Sequence, residues 1–518
     1  MKTKQILIIA IIILTIFVTQ KVLATTNFVG TSGTPSGNYF TNIQSAVDAS
    51  FAGDLVLVSN GVYATGETVT PGFTSSNRVV ITENLTVRSV SGPATTIILG
   101  AQAPGGGTGD GAVRCVFMTS GLLDGFTLSN GFTLTSGDWT YDQAGGGVWL
   151  TNGCVITNCV ISGNSATDDG GGAYCYMGGQ LSTCTISDNT AGWGGGVTCQ
   201  QGGQLYACTI SGNIANVDGG GVDCYDGGIL SECTISGNSA KDDGGGAYCN
   251  SGGQLFACTF IGNTADWGGG VTCLYGGQLS DCTIIGNSAN ENGGGVDCYD
   301  GGSLSDCIIS NNTTTGKGGG AFCVSGGQLS DCKISDNSAG ELGGGVYFRY
   351  SGAMTNCLIY NSNSAAFGGG VYCRDGGGDL FNCTIAGNYA SDNGGGIVCS
   401  NGGYIANTII YDNTVLSGSN NWKNYNSGAA FSFCCTAPTN GLPGGIGCIS
   451  DNPMFNAPGS DYHLQGFSPC VNSGTNMPWM APPATDLDGN PRIYNGTVDM
   501  GCYEFVPEPL GIWIIGLL

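Results

Sequence analysis

Gly-Gly-Gly begins at residues 145, 170, 194, 219, 244, 268, 293, 318, 343, 368 and 394, in steps of 24 to 26. A unit this short cannot bury a core of its own. A fixed period in this range therefore means like units stacked on one another. The unit from Gly219 reads GGGVDCYDGGILSECTISGNSAKDD. Val222 and Cys224 alternate with Asp223, and Cys233 and Ile235 alternate with Thr234, which is the period of short strands with one buried face. Gly227-Gly228 and Gly237-Asn238 punctuate them as turns. Helical repeats are excluded by the glycines, each costing about 1 kcal/mol inside a helix. Collagen is excluded because the 95 glycines follow no G-X-Y period. A leucine-rich repeat would need a longer leucine pattern. One coil of a parallel β-helix per repeat is what remains.

Asn164, Asn189, Asn213, Asn238, Asn263, Asn287, Asn312, Asn337, Asn363, Asn388 and Asn413 fall at one place in all eleven units. Stacked coils would set these amides in a ladder along a turn, each bonded to the next, and Asn tolerates the left-handed backbone such a turn needs. Above this period lies a second. Residues 170–243 and 244–317 match over 74 positions: GGGAYC returns at 244, Trp193 returns as Trp267, and GGGVDCYDGG at 219 returns at 293. A three-coil block has been duplicated, which lengthens a rod without by itself making a catalytic site.

Cysteine forms two columns, one five residues after the first glycine (175 to 399) and one from Cys159 to Cys383, both on the inward face. Three readings stay open: buried thiols, disulfides or metal ligands. In-register neighbours about 4.8 Å apart suit a disulfide poorly. C-x2-C spacing is absent and His463 is the only histidine. Buried thiols lead. Outside the columns, Cys470 and Cys502 are the candidate disulfide.

Thirteen Lys and Arg stand against 37 Asp and Glu, a net charge of −24. A nucleic-acid binder is excluded, because phosphate contacts need cations. At the N-terminus, Lys2 and Lys4 precede an apolar run from Ile6 to Val18, and Val22-Leu23-Ala24 offers a cleavage site: an export signal. The mature chain is expected at the cell surface or outer membrane, or secreted, where disulfides are permitted.

Several segments carry resemblances. GGGV and GGAY, paired with Phe260-Ile261-Gly262-Asn263, are similar to the repeats of polymorphic outer-membrane proteins, which are surface adhesins. Ile43 to Asp48, Gly53 to Val58 and Gly61-Val62-Tyr63 resemble the N-terminal cap of pectin-lyase-like β-helices, which implies a short helix over about 42–50 covering the open end. Asp461 to Leu464, Asp486 to Arg492 and Val498 to Glu504 resemble the choice-of-anchor segment that follows surface β-helices. Val506-Pro507-Glu508-Pro509 and the nine apolar residues after it resemble a truncated PEP-CTERM sorting tag. The resulting expectation is an all-β chain, a single-stranded right-handed parallel β-helix with about 25-residue coils and an N-terminal helical cap. Its divisions are signal peptide 1–24, cap and first coils 25–110, repeat array 111–430, anchor-like segment 431–505 and tail 506–518.

Function is less legible, because one fold hosts many activities. Hydrolysis of a polysaccharide would want two positioned carboxylates. A lyase would want a base and a cation. The nearest constellation is Arg349, Arg374 and Asp375 on adjacent coils. Asp168-Asp169 and Asp242-Asp243 recur at equivalent turns as weak calcium candidates, although Ca²⁺ takes six or more oxygens. No other cofactor is called for. Tyr174, Tyr248, Phe322, Tyr347 and Tyr372 share an outward column with Trp149, Thr198, Asp223, Thr272 and Asp297; exposed aromatics there would stack on sugar rings. A second outward column carries Thr185, Thr209, Thr234, Thr259 and Thr283, similar to ice-binding β-helices, but Ile308, Lys333 and Leu358 interrupt it. The reading is a non-catalytic structural or adhesive rod; the alternative is a polysaccharide lyase or glycoside hydrolase on the same scaffold. Expected partners are extracellular polysaccharide or cell-surface components, with transient membrane association through the export signal and tail.

Overall fold

The computed structural model describes residues 24–417, 420–426 and 428–507. The export signal and the tail beyond Pro507 lie outside them.

Each repeat makes one coil of a parallel β-solenoid. In the unit from Gly219, the chain runs through Val222–Tyr225 (sheet 1), Ile229–Ser231 (sheet 2), Thr234–Ser236 (sheet 3) and Ser239–Ala240 (sheet 4). Like strands pair in register with those of the coils before and after, as in Val222↔Ala247 and Cys224↔Cys249. Sheets 1 and 3 reach 15 strands each, sheet 2 reaches 18 and sheet 4 reaches ten. Val222, Cys224, Leu230, Cys233 and Ile235 point inward into one continuous apolar core. Strands joined end to end around a coil cannot pair with each other, so in the repeat array the ladders are made between coils, while Thr68–Val69 with Ser76–Ile81 and Phe455–Ala457 with Asp461–Leu464 form antiparallel hairpins outside it. Stability is then a sum over neighbouring interfaces.

The Gly triplet is where coils approach most closely. Gly219 is left-handed, at φ 67°. A Cβ on Gly220 would lie 2.4 Å from the carbonyl oxygen of Gly245, and one on Gly221 2.5 Å from that of Gly246. Only glycine lets the backbones stack at this corner.

The amide ladder runs unbroken from Asn164 to Asn337. Asn213 Nδ2 donates to Asn238 Oδ1 at 2.9 Å, and Asn238 Nδ2 donates to Asn263 Oδ1 at 3.0 Å. Each amide also accepts from the backbone N–H of the preceding Asn, as Asn238 does from Asn213 at 3.0 Å. Two expectations need correction. Asn363 is not in the ladder: Ser362 takes its place, accepting from Asn337 N and donating its own N–H to Asn388 Oδ1. Asn363 faces solvent and bonds to Ser338 instead. The left-handed backbone also falls not on the ladder Asn but on the residue before it, such as Gly237 at φ 61° or Asp336 at φ 57°.

All 26 cysteines are free thiols, and all but Cys448 are buried. The candidate Cys470–Cys502 disulfide is therefore corrected. Both are buried free thiols in the small core beneath the C-terminal segment. In the second column the thiols have a polar task as well. Cys233 Sγ donates to the carbonyl of Ser231 at 3.3 Å, across the left-handed Glu232 corner. Where Thr408 replaces cysteine, its hydroxyl makes the same bond, to Ala406 at 2.9 Å.

The helical cap is not supported as a unit of its own. Helix among the described residues amounts to α1 (Ile43–Asp48), N-capped by Asn42, and a single 3-10 turn. Ile43, Ala46 and Val47 of α1 join the core.

Beyond the last coils the chain folds back. Phe455, Tyr462, Leu464, Met500 and Tyr503 pack on Leu358, Ala386 and Ile409, outward residues of sheet 3. Cys502 N donates to Thr384 Oγ1 at 3.2 Å, and Asn407 Nδ2 to the carbonyl of Thr475 at 2.9 Å. The apolar residues that interrupt the threonine column at this end are thus the seat of the returning segment.

Candidate functional site

The outward column of sheet 1 lies in the angle where the chain leaves sheet 4, passes the Gly triplet and enters sheet 1. Thr198 Oγ1 donates to the carbonyl of Trp193 across this angle, at 3.3 Å. Large residues fill it. Trp149, Tyr174, Phe322, Tyr347 and Tyr372 are at most 9% exposed, and so is Tyr248. Phe322, Tyr347 and Tyr372 stack on one another at 5.0 and 5.6 Å between centroids. Phe117, Trp149 and Tyr174 form a second cluster at the other end. These aromatics are packing, and the expected sugar-stacking column is corrected on that ground: the faces of the two clusters are spent on each other, and Tyr248 is buried between Asp223 and Thr272.

Open space appears where the aromatics are missing. Thr198 and Asp223 leave one gap in the column and Thr272 and Asp297 another, with Tyr248 between. Each gap is the floor of a cleft. The first, about 290 Å³, has Asp168, Asp169 and Trp193 on one wall and Gln200 and Tyr225 on the other, and Trp139 also lines it. The second, about 340 Å³, repeats Asp242, Asp243, Trp267, Thr272, Asp297 and Tyr299 at an offset of 74, with Leu274 in place of Gln200. Asp266 also lines it. The duplication has copied a cleft.

Asp223 and Asp297 are each 4% exposed, and the Oδ1 of each is buried without a hydrogen-bond partner. An orphaned buried carboxyl oxygen is costly. Burial, together with Asp169 beside the first and Asp243 beside the second, pushes both carboxyls far above the usual carboxylate range. Burial raises Asp169 to about 7, with Asp168 adding to it. Asp243 is raised to about 7 by burial and by Asp218 and Asp242. Burial thus favours the neutral, protonated form at each floor, which can both donate and accept. Trp193 and Trp267 stand half-exposed at the rim, 38% and 37%.

The calcium candidates Asp168, Asp169, Asp242 and Asp243 are cleft walls. Among the described residues no three His, Cys, Asp or Glu side chains are grouped to hold a metal ion. Arg349, Arg374 and Asp375 do meet: Arg374 Nε lies 3.3 Å and Arg349 Nε 3.6 Å from Asp375 Oδ2. The carboxylate is engaged by both cations. Sequence reasoning had placed Asp223 and Asp297 in the right column but missed their role. The available signal was small or acidic residues interrupting an aromatic column twice, 74 residues apart.

A second polar cluster lies in the returning segment. His463 is held between Asp461 and Asp488 and stacks on Tyr503 at 4.0 Å. Beside it, buried Arg492 pairs with buried Glu504 at 3.5 Å.

The model of the right-handed beta helix region matches residues 125–289 and 269–435. The chain belongs to this family. Several solved structures align with most of the chain's length. Pectate lyase Pel9A is 13% identical, with 93% of this chain and 96% of that one covered and a TM-score of 0.28. The A-module of mannuronan C-5 epimerase AlgE4 from Azotobacter vinelandii is 12% identical, covering 75% and 94%, with a TM-score of 0.34. The catalytic unit of the GH87 α-1,3-glucanase from Streptomyces thermodiastaticus is 14% identical, covering 72% and 66%, with a TM-score of 0.28. No curated protein matches the chain.

Proposed function

We propose that this β-helix is an exported, surface-associated or secreted rod that binds glycan through the two sheet-1 clefts. The observation that carries the reading is the pair of buried, unpartnered carboxyl oxygens, on Asp223 and Asp297, each under a half-exposed tryptophan. A protonated carboxyl exchanges hydrogen bonds with a sugar hydroxyl in both directions, and an indole face suits a pyranose ring. Clefts of about 300 Å³ sit at the small end of ligand pockets, enough for a ring rather than a large cofactor. Binding on a polysaccharide array, lost when both clefts are blocked, is the expected result. A blank array of neutral and anionic glycans would sink the reading.

One observation favours a catalytic alternative. Burial pushes Asp223 on the floor well above the usual carboxylate range while Asp168 on the wall is raised less strongly, and carboxyls set apart in this way are what a glycoside hydrolase uses. New reducing ends from a bound polysaccharide, abolished by Asp223→Asn, would establish it. Lyase chemistry fits less well, since no Lys, Arg or His lines either cleft to act on a uronate.

A further inference from the structure

We infer that the two clefts work in tandem on one uncharged, linear polysaccharide strand lying along the rod. The inference rests on the glycan reading above and adds the ligand's charge and the way it is gripped.

Charge comes first. The first cleft presents Asp168, Asp169 and Asp223, and the second Asp242, Asp243, Asp266 and Asp297, with no cationic side chain lining either. Although the exposed Lys241 lies 4.0 Å from Asp242, a uronate, sulfate or phosphate strand would bring further anions to an acid-lined face of a chain already at −24. Hydroxyl-rich neutral sugars meet no such repulsion. They supply the partner that Asp223 Oδ1 and Asp297 Oδ1 lack.

Geometry comes second. Asp223 and Asp297 stand in one in-register column, separated by Tyr248 and Thr272. Three coils at strand spacing place the two floors about 14 Å apart along the axis. The clefts are translated copies with the same wall-to-floor polarity, because they arise from a repeat of 74 residues in a parallel stack. A polymer whose own repeat is a translation can enter both in the same orientation. The second contact then forms at high local concentration, and affinity for polymer exceeds that for a single cleft by about 10² or more.

The column itself supplies a benign way to close a cleft. Phe322 occupies the position that follows Asp297, so Phe at 223 or 297 is a residue this column already packs. The full-length protein and its Asp223→Phe, Asp297→Phe and double variants would be run by affinity electrophoresis. The gels would carry xyloglucan, galactomannan or laminarin, and in parallel alginate or polygalacturonate, with circular dichroism to show the β-fold retained. Retardation by at least one uncharged polymer is expected. Either single variant should lose about tenfold or more of it, and the double variant all of it. Asp223→Asn, of the same shape and still able to donate and accept, should lose less than Asp223→Phe. Retardation by the polyanions alone, or Asn as damaging as Phe, would overturn the uncharged ligand. Single variants that lose no more than about twofold would mean independent clefts; the tandem would fall while the glycan reading stood. If no gel retarded the unaltered protein, the glycan reading itself would fall.

Discussion

At the scale of the residue, most buried polar groups here are satisfied by repetition. Asn238 alone accepts two hydrogen bonds from Asn213 and donates to Ile210 and Asn263. Asn238→Ala would remove the acceptor for the Asn213 backbone N–H and Nδ2 and the side-chain donor to the Ile210 carbonyl, all in the interior, so a loss of about 3 kcal/mol or more is expected in denaturant unfolding. Ser362→Asn should do the opposite. It restores the amide missing between Asn337 and Asn388, and a gain of about 1 kcal/mol would be the signature. The cleft aspartates add a pH dependence. Asp169 and Asp243 have a carboxyl raised from 3.8 to about 7 on folding, so the folded state holds the proton longer than the unfolded chain. Stability from these groups is complete below pH 4 and is lost as pH rises to 7 and beyond. The double variant Asp169→Asn, Asp243→Asn should therefore raise the melting temperature at pH 8 but not at pH 4. The ladder was legible in the sequence, because one residue type recurs at one place. The Ser362 substitution was not, since a neighbouring Asn363 preserved the apparent spacing and only the hydrogen bonds reveal which residue faces inward.

At the scale of the element, each strand is two to six residues long and none could persist alone. The sequence period announces the strands, but not what lies on their outer faces. Sheet 3 is covered at one end because Leu358 and Ile409 replace threonine there and the returning segment seats on them. Two polar clusters, His463 with Asp461 and Asp488 and Arg492 with Glu504, tie that segment together internally. Burial works against the His463 cation, but the carboxylates of Asp488 and Asp461 prevail and hold its pKa above the usual 6.5. Its stabilisation is present below 6.5 and is lost as pH climbs through the raised value. Glu504 is pushed up to about 8 by burial, with Arg492 opposing, so its contribution is complete below 4.5 and is lost as pH rises through 8. Both act in one direction. Limited proteolysis should cut the 453–505 segment faster at pH 9 than at pH 6. His463→Gln should flatten much of the difference, and an unchanged pH profile in that variant would contradict this tie.

At the scale of the whole molecule, 15 strands in a single sheet at the spacing of parallel strands make a rod about 70 Å long. Small-angle scattering should return a slender rigid particle. The thiols offer a check on the interior. Burial pushes Cys115 and Cys502 up to about 12, so these groups are neutral and inaccessible in the folded state. A thiol reagent is expected to find about one cysteine in the native protein, Cys448, and all 26 once it is unfolded. Rapid native reaction of many thiols would contradict a stacked core.

The sequence by itself determined the coil, its length, the inward columns and the copying of a three-coil block. Those follow from periodicity, which stacking converts directly into register. Only the tertiary structure decided which outward residues are surface. The aromatic column looks exposed in a list of alternating positions, yet the turn out of sheet 4 bends over it and buries Tyr174 and Tyr347, while leaving Asp223 and Asp297 at the bottom of clefts. Outward in a strand means only away from the coil's own core. Whether water or another part of the chain waits there depends on the angle between sheets, which no one-dimensional period encodes.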